Sequence, residues 1–143
     1  VGSAGVAALV LYLAGMIITL SSFHHGIKLL TSIIAAEVIA KYVMVLQSHI
    51  GLSAWEGFSS PFTNAMKDKR KILIATAITL PIVWFLGGGY YAGFLSLGIS
   101  ATIATIILYT SNKTLGGISG DVIGASNELT RLSSLIVLSL PTL

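Results

Sequence analysis

The chain has 143 residues, 55% of them hydrophobic and only 9% charged, with a mean hydropathy of +0.92 and a net charge of +3. A soluble domain carries about 25% charged residues, so this chain lacks the polar groups to cover a globule with a hydrated surface. The absence of cysteine excludes disulfide frameworks, thiolate zinc sites and cysteine nucleophiles.

The first apolar run, from about Gly2 to Leu20, carries no charge. Around 20 apolar residues cross a hydrocarbon core about 30 Å thick. No basic stretch precedes this run and no small-residue cleavage site is evident, so it reads as a span and not as a signal peptide. The chain opens on Val1 inside apolar sequence, which sets an expectation of further sequence upstream. Ser21 to Lys28 reads as a short loop holding His24 and His25; neighbours in sequence, they face different ways on a helix, and no metal site is expected there. The second span runs from about Leu29 to Leu46 and contains Glu37 and Lys41. Gln47 to Lys71 is the longest polar stretch, with Glu56, Lys67, Asp68, Lys69, Arg70 and Lys71. A third apolar run extends from Ile72 to about Leu86, with a kink expected at Pro81. Gly87, Gly88 and Gly89 make a turn, and Tyr90 and Tyr91 suit a membrane interface. The fourth span is about Phe94 to Tyr109, Ser111 to Gly117 is a loop with Lys113, and the fifth runs from about Ser119 to Leu140.

These runs are continuous and rich in Ala, Leu and Ile, unlike the alternating segments of about 10 residues that build barrel strands. The expected fold is all-α, a polytopic membrane helix bundle of about five transmembrane helices in a single domain over 1–143. With five spans, the N-terminus and the 47–71 and 111–117 loops share one side. That side carries Lys67, Lys69, Arg70, Lys71 and Lys113 against Lys28 alone on the other, which places the two basic loops in the cytoplasm.

A charge at mid-bilayer costs about 2.5–3.5 kcal/mol on insertion scales, so it needs a partner or a function. Glu37 and Lys41 are four residues apart on one helix face, in the favourable order. They read either as a self-neutralised pair or as the lining of a polar substrate cavity. The basic residues Lys67, Lys69, Arg70 and Lys113 read as a topology signal and contact with anionic lipid, or as an attractor for a phosphorylated substrate.

The densest cluster of chemistry-bearing residues runs from Gly116 to Glu128. Gly116, Gly117 and Gly120 precede or open a helix. Glycines let backbone N–H groups approach a phosphate, and a helix N-terminus carries partial positive charge. With the Asp121 carboxylate beside it, such a site suits a magnesium-bound pyrophosphate. Asp121 and Glu128 share a helix face about 10.5 Å apart along the axis, too far for both to grip one ion. Asp121 is the better direct ligand, with Glu128 an outer partner or a ligand to a second ion. The competing reading is packing, with Gly120 and Gly124 as a small-xxx-small pair and Glu128 bonded to Arg131 three residues on.

The run Gly116, Gly117, Ile118, Ser119, Gly120, Asp121, then Gly124, Ala125 and Glu128, resembles the C-terminal signature of the cobalamin synthase family, the membrane-bound adenosylcobinamide-GDP ribazoletransferases. The family pattern is Gly-Gly-x-Thr-Gly-Asp-x-x-Gly-Ala followed by Glu; Ser119 stands for the Thr and keeps the hydroxyl. Val1 to Val6, Glu56-Gly57 and Lys41 match more loosely. The resemblance covers most of the chain, although only the glycine-aspartate run is specific. The family also carries an upstream Asp-Gly-Leu-Ala-Asp kind of segment that this sequence lacks, so the chain is expected to be the C-terminal part of a longer enzyme.

The resemblance implies phosphoryl transfer at a prokaryotic cytoplasmic membrane. The ribose hydroxyl of α-ribazole attacks the cobinamide-side phosphorus of adenosylcobinamide-GDP, and GMP leaves. Asp121 and Glu128 are then the catalytic and metal residues, with Mg2+ as cofactor, and Gly116, Gly117, Ser119 and Gly120 the phosphate cradle. The expected partners are the corrinoid nucleotide, α-ribazole and the lipid bilayer, with no nucleic acid; a homo-oligomer stays open. The alternative class is a transporter or channel subunit whose Glu37, Lys41, Asp121 and Glu128 line a polar path. The position of Asp121, a few residues into its span beside the basic face, favours the enzyme.

Overall fold

The computed structural model describes residues 2–54, 59–88 and 90–140; the side chains of 59, 60, 62 and 90 are outside that description, as are Glu56 and Gly57. Among the described residues six helices occur in chain order: α1 (Ser3–Ser21), α2 (Gly26–Ile50), α3 (Ser59–Ala65), α4 (Lys69–Leu86), α5 (Tyr90–Leu115) and α6 (Gly120–Ser139). The described residues contain no strand, only an isolated parallel bridge between Ser53 and Ile118. Among the described residues, three helices are long and apolar enough to cross a membrane, namely α1, α2 and the stretch Tyr91–Leu115 of α5. The two remaining long helices carry more charge. α4 opens on Lys69, Arg70 and Lys71, and α6 contains Asp121, Glu128 and Arg131.

The apolar runs extend further as helices than hydropathy alone predicts. α2 continues past Leu46 to Ile50, and α5 takes in most of the expected 111–117 loop and stops at Leu115. A helix has no reason to end where apolar sequence ends, since its backbone bonds are satisfied internally. Thr110 and Thr114 satisfy their hydroxyls within the helix, bonding the carbonyls of Ile106 and Thr110. α5 ends at Gly116, whose φ of +74° is the left-handed conformation that favours glycine at a helix terminus. α4 runs through Pro81 to Leu86. The turn after it contains Gly88 at φ +76°, and a Cβ on Gly87 would stand 2.7 Å from the Gly93 backbone.

α2 is the centre of the bundle and packs against α6, α4 and α5; α5 packs along α6, and α1 lies mainly against α6. The buried faces consist of small and polar residues. On α2 these are Ala35, Ala36, Ile39, Ala40 and Val43, all fully buried. On α5, Ser96, Ser100 and Ala104 recur every four residues, as do Ser126, Thr130 and Ser134 on α6. Small side chains let helix backbones approach, and the Ser100 and Ser134 hydroxyls meet at 2.9 Å across that seam. The large apolar side chains point outward instead: Leu11 is 72% exposed, Ile18 71% and Phe85 79%. A bundle that buries serine and displays leucine is solvated by hydrocarbon.

The C-termini of α2 and α5 and the N-termini of α4 and α6 meet at one end of the bundle, tied together by the Ser53–Ile118 bridge. α1 runs parallel to α6, since Tyr12 meets Glu128 and Gly15 lies against Leu132. The N-terminus of α1 therefore belongs to the same end. Lys28 lies at the opposite end, where its ammonium bonds the Leu140 carbonyl at 3.4 Å. Single cysteines at the exposed positions Asn64 and Asn112 are expected to react with an impermeant maleimide from one side of sealed vesicles, and a cysteine at His24 from the other. Labelling of the first two from opposite sides would break this arrangement.

Candidate functional site

The glycine run occupies the end where four helix termini converge, and its members divide into two groups. Gly117 is buried, and a Cβ there would lie 2.6 Å from the Leu52 carbonyl and the Ala54 nitrogen. The Ile118 amide donates to the Leu52 carbonyl at 2.8 Å, and the Ala54 amide donates to the Ile118 carbonyl at 3.0 Å. The Ser111 hydroxyl donates to the Gly117 carbonyl. The Ile118 side chain is fully buried against Leu108 and Ile123. For Gly117 the packing reading holds: only glycine allows the two loops to touch.

Gly120, Asp121 and Gly124 behave differently. They are exposed, and a Cβ added at Gly120 or Gly124 would meet nothing. The small-xxx-small pair therefore packs against no helix among the described residues. Ser119 caps α6, its hydroxyl accepting from the Val122 amide at 3.4 Å, and the Ile123 amide donates to the Ser119 carbonyl at 3.1 Å. The amides of Gly120 and Asp121 have no such partner among the described residues, and the Asp121 carboxylate beside them is equally unengaged. Orphan amides at a helix N-terminus attract anions. The described residues contain no cluster of three potential metal ligands. Asp121 can offer one carboxylate, which fits Mg2+ as that ion is usually held, by one or two carboxylates together with substrate phosphates.

At mid-height of the bundle the charges of α2 and α6 close on one another. Glu37 is the twelfth residue of α2, Arg131 the twelfth of α6 and Tyr12 the tenth of α1. The Arg131 guanidinium donates to both oxygens of Glu37, Nε at 2.7 Å and Nη2 at 3.2 Å, and through Nη1 to Glu128 at 2.6 Å. Tyr12 donates its hydroxyl to the same Glu128 oxygen. Asn127 donates to the other Glu128 oxygen at 2.9 Å and accepts from Lys41 at 3.2 Å. Lys41 closes the circuit on Glu37 at 3.3 Å. Two carboxylates and two cations thus form a ring of zero net charge that joins α1, α2 and α6. It is half-buried, with Arg131 at 25% and Lys41 at 56% side-chain exposure. Glu37 and Lys41 border a groove of about 260 Å³ between α2 and α4, walled by Val38, Tyr42, Ala75 and Ile78.

Sequence spacing identifies the Glu37–Lys41 and Glu128–Arg131 pairs; it misses the bidentate Glu37–Arg131 bond between helices, and with it Tyr12 and Asn127. The available signal was the presence of unlike charges at mid-span in two different apolar runs. The ring is separate from Asp121, because both oxygens of Glu128 are taken up by Arg131, Tyr12 and Asn127. The basic residues divide as well. Lys69, Arg70 and Lys113 are exposed at the site end and form no ion pair among the described residues. Lys67 instead donates to the carbonyls of His49 at 3.0 Å and Gly51 at 2.7 Å.

Residues in one such ring act as a unit. A double-mutant cycle on Glu37→Gln and Arg131→Gln is expected to show a coupling of about 0.5–3 kcal/mol in detergent-micelle unfolding. Strictly additive losses would count against the ring.

The family model for cobalamin-5-phosphate synthase matches residues 1–139. An adenosylcobinamide-GDP ribazoletransferase of Archaeoglobus fulgidus is 31% identical over 97% of this chain and 56% of its own length. One from Clostridium perfringens is 30% identical over 98% of this chain and 56% of its own length. A third, from Methanocella arvoryzae, is 32% identical over 77% of this chain and 46% of its own length. The chain thus spans about half the length of the curated relatives it matches. No solved structure matches it. A glycine-aspartate run held at one end of a lipid-solvated helix bundle, together with a family match over nearly every residue, shows that the chain belongs to the cobalamin-5-phosphate synthase family.

Proposed function

We propose that this chain supplies the phosphate-binding membrane face of an adenosylcobinamide-GDP ribazoletransferase. The observation that carries the reading is the unengaged Asp121 carboxylate beside the free amides of Gly120 and Asp121, at an N-terminus that faces open space. On this reading α4 and α6 join the three apolar helices as spans, giving about five. The site end, with Lys69, Arg70, Lys71 and Lys113, faces the cytoplasm of a prokaryotic cell, in keeping with the excess of Lys and Arg at that end.

Adenosylcobinamide-GDP brings a pyrophosphate to the membrane surface. The Gly120 and Asp121 amides receive one phosphate at the positive end of α6. The exposed cations of the rim raise the local concentration of an anionic substrate. The ribose hydroxyl of α-ribazole then attacks the cobinamide-side phosphorus, and GMP leaves, giving adenosylcobalamin or its 5′-phosphate. Magnesium bound with the pyrophosphate would offset charge on the leaving group. Asp121 is the direct ligand this chain offers, and Glu128 an outer partner that holds α6 in place through the ring. Mid-height charges that satisfy one another form no row across the bundle, so the ring supports an enzyme scaffold better than a transport path.

Asp121→Asn keeps the side-chain size and removes the charge. Expressed from the whole gene and assayed in membranes, it is expected to insert normally and to lose about 10²-fold or more of GMP release, with little recovery at raised magnesium. Glu128→Gln is expected to be milder. Near-normal turnover by Asp121→Asn would remove the proposed role.

A further inference from the structure

We propose that Lys67 is a positioning residue that sets the glycine run from a distance, without touching substrate. The inference rests on the phosphate-binding reading of that run. Lys67 belongs to a cluster of cations in sequence, yet its ammonium is directed onto backbone. It bonds the carbonyls of His49 and Gly51, at the terminus of α2, where helical carbonyls lack partners and cations are favoured. The His49 ring returns the connection, its Nδ1 2.7 Å from the Met66 carbonyl. The turn that leads into α4 is thereby fastened to the end of α2.

The segment just after Gly51 holds the run. Leu52 accepts from the Ile118 amide and Ala54 donates to the Ile118 carbonyl, while Gly117 fits against the same backbone with no room for a Cβ. One short path therefore leads from Lys67 through Gly51 and the Leu52–Ala54 backbone to Ile118, and on to Ser119, which caps α6 and fixes where the Gly120 and Asp121 amides point. Without the ammonium, the 51–54 segment keeps its bonds to Ile118 and the bond from the Gly51 amide to the Gln47 carbonyl, but loses the Lys67 bond to Gly51 that ties it to the turn before α4. The two loops can then shift together, and the amides lose alignment with a bound phosphate. Lys69 lies two residues away with the same charge and makes no such bond among the described residues.

The test compares Lys67→Met, Lys67→Arg and Lys69→Met in the protein expressed from the whole gene. Amide hydrogen exchange is read at Ala54 and Ile118, and KM and kcat for adenosylcobinamide-GDP are measured in membranes. Lys67→Met is expected to speed exchange at both amides about tenfold and raise KM by a similar factor with a smaller change in kcat, the scale of losing charge-assisted hydrogen bonds. Lys67→Arg keeps two donors in reach and is expected to restore both readouts; Lys69→Met is expected to leave the exchange of these amides unchanged. Unchanged exchange in Lys67→Met, or equal loosening in Lys69→Met, would overturn the inference and leave the role of Asp121 standing. Loosened amides with unchanged KM would overturn it together with the phosphate-binding role of the run.

Discussion

Two carboxylates and two cations sit at mid-height in this bundle and find their partners in one another. Each would cost a few kcal/mol alone in lipid. Closed into a ring through Asn127, and joined by Tyr12, they carry no net charge and give each carboxylate oxygen a donor. The ring joins helices that are far apart in the chain. α1, whose surface is almost entirely exposed, is held against α6 by Tyr12 together with the contacts of Gly15, Met16 and Leu20. α2 and α6 are held in one register by Glu37 and Arg131, and that register decides which face of α6 is covered and which is left open.

The remaining packing is dictated by the solvent. Hydrophobic burial gives helices little reason to associate when the surroundings are as apolar as leucine. Association here rests on close approach and polar bonds instead, with alanine along α2 and serine and threonine along the α5–α6 seam. The same residues that would be surface in water form the core in lipid. A sequence so short of charge thus keeps what polar groups it has for three uses: the inter-helix seam, the mid-height ring and the loop end of the molecule.

At the loop end, local geometry settles an ambiguity that composition leaves open. Glycines can serve packing or ligand approach, and the members of this run differ in what surrounds them. Gly117 is pressed against the Leu52–Ala54 backbone, whereas Gly120 and Gly124 face empty space. The first group holds the second in position. Backbone amides make a useful phosphate site only if they are held in one orientation before the ligand arrives; on the proposed reading, the bonds of Lys67 to Gly51 and of Leu52 and Ala54 to Ile118 would provide that restraint.

Composition and hydropathy were enough to point to a helical membrane protein, to the positions of its long helices to within a few residues except at the end of α5, and to the grouping of the basic residues of the two expected loops at one end. Each of these depends on local sequence or on a count. The specific order Gly-Gly-x-Ser-Gly-Asp was enough to point to a family. The short helix α3, inside the long polar stretch, carries no apolar run to announce it. The partner of Glu37 could not be read from the chain, because Arg131 lies 94 residues away and meets it only after α2 and α6 cross. Tyr12, Asn127 and the bonds of Lys67 were hidden for the same reason, and so was the division of the glycines. Periodicity tells which residues share a face of one helix; only the packing of several helices decides what that face meets.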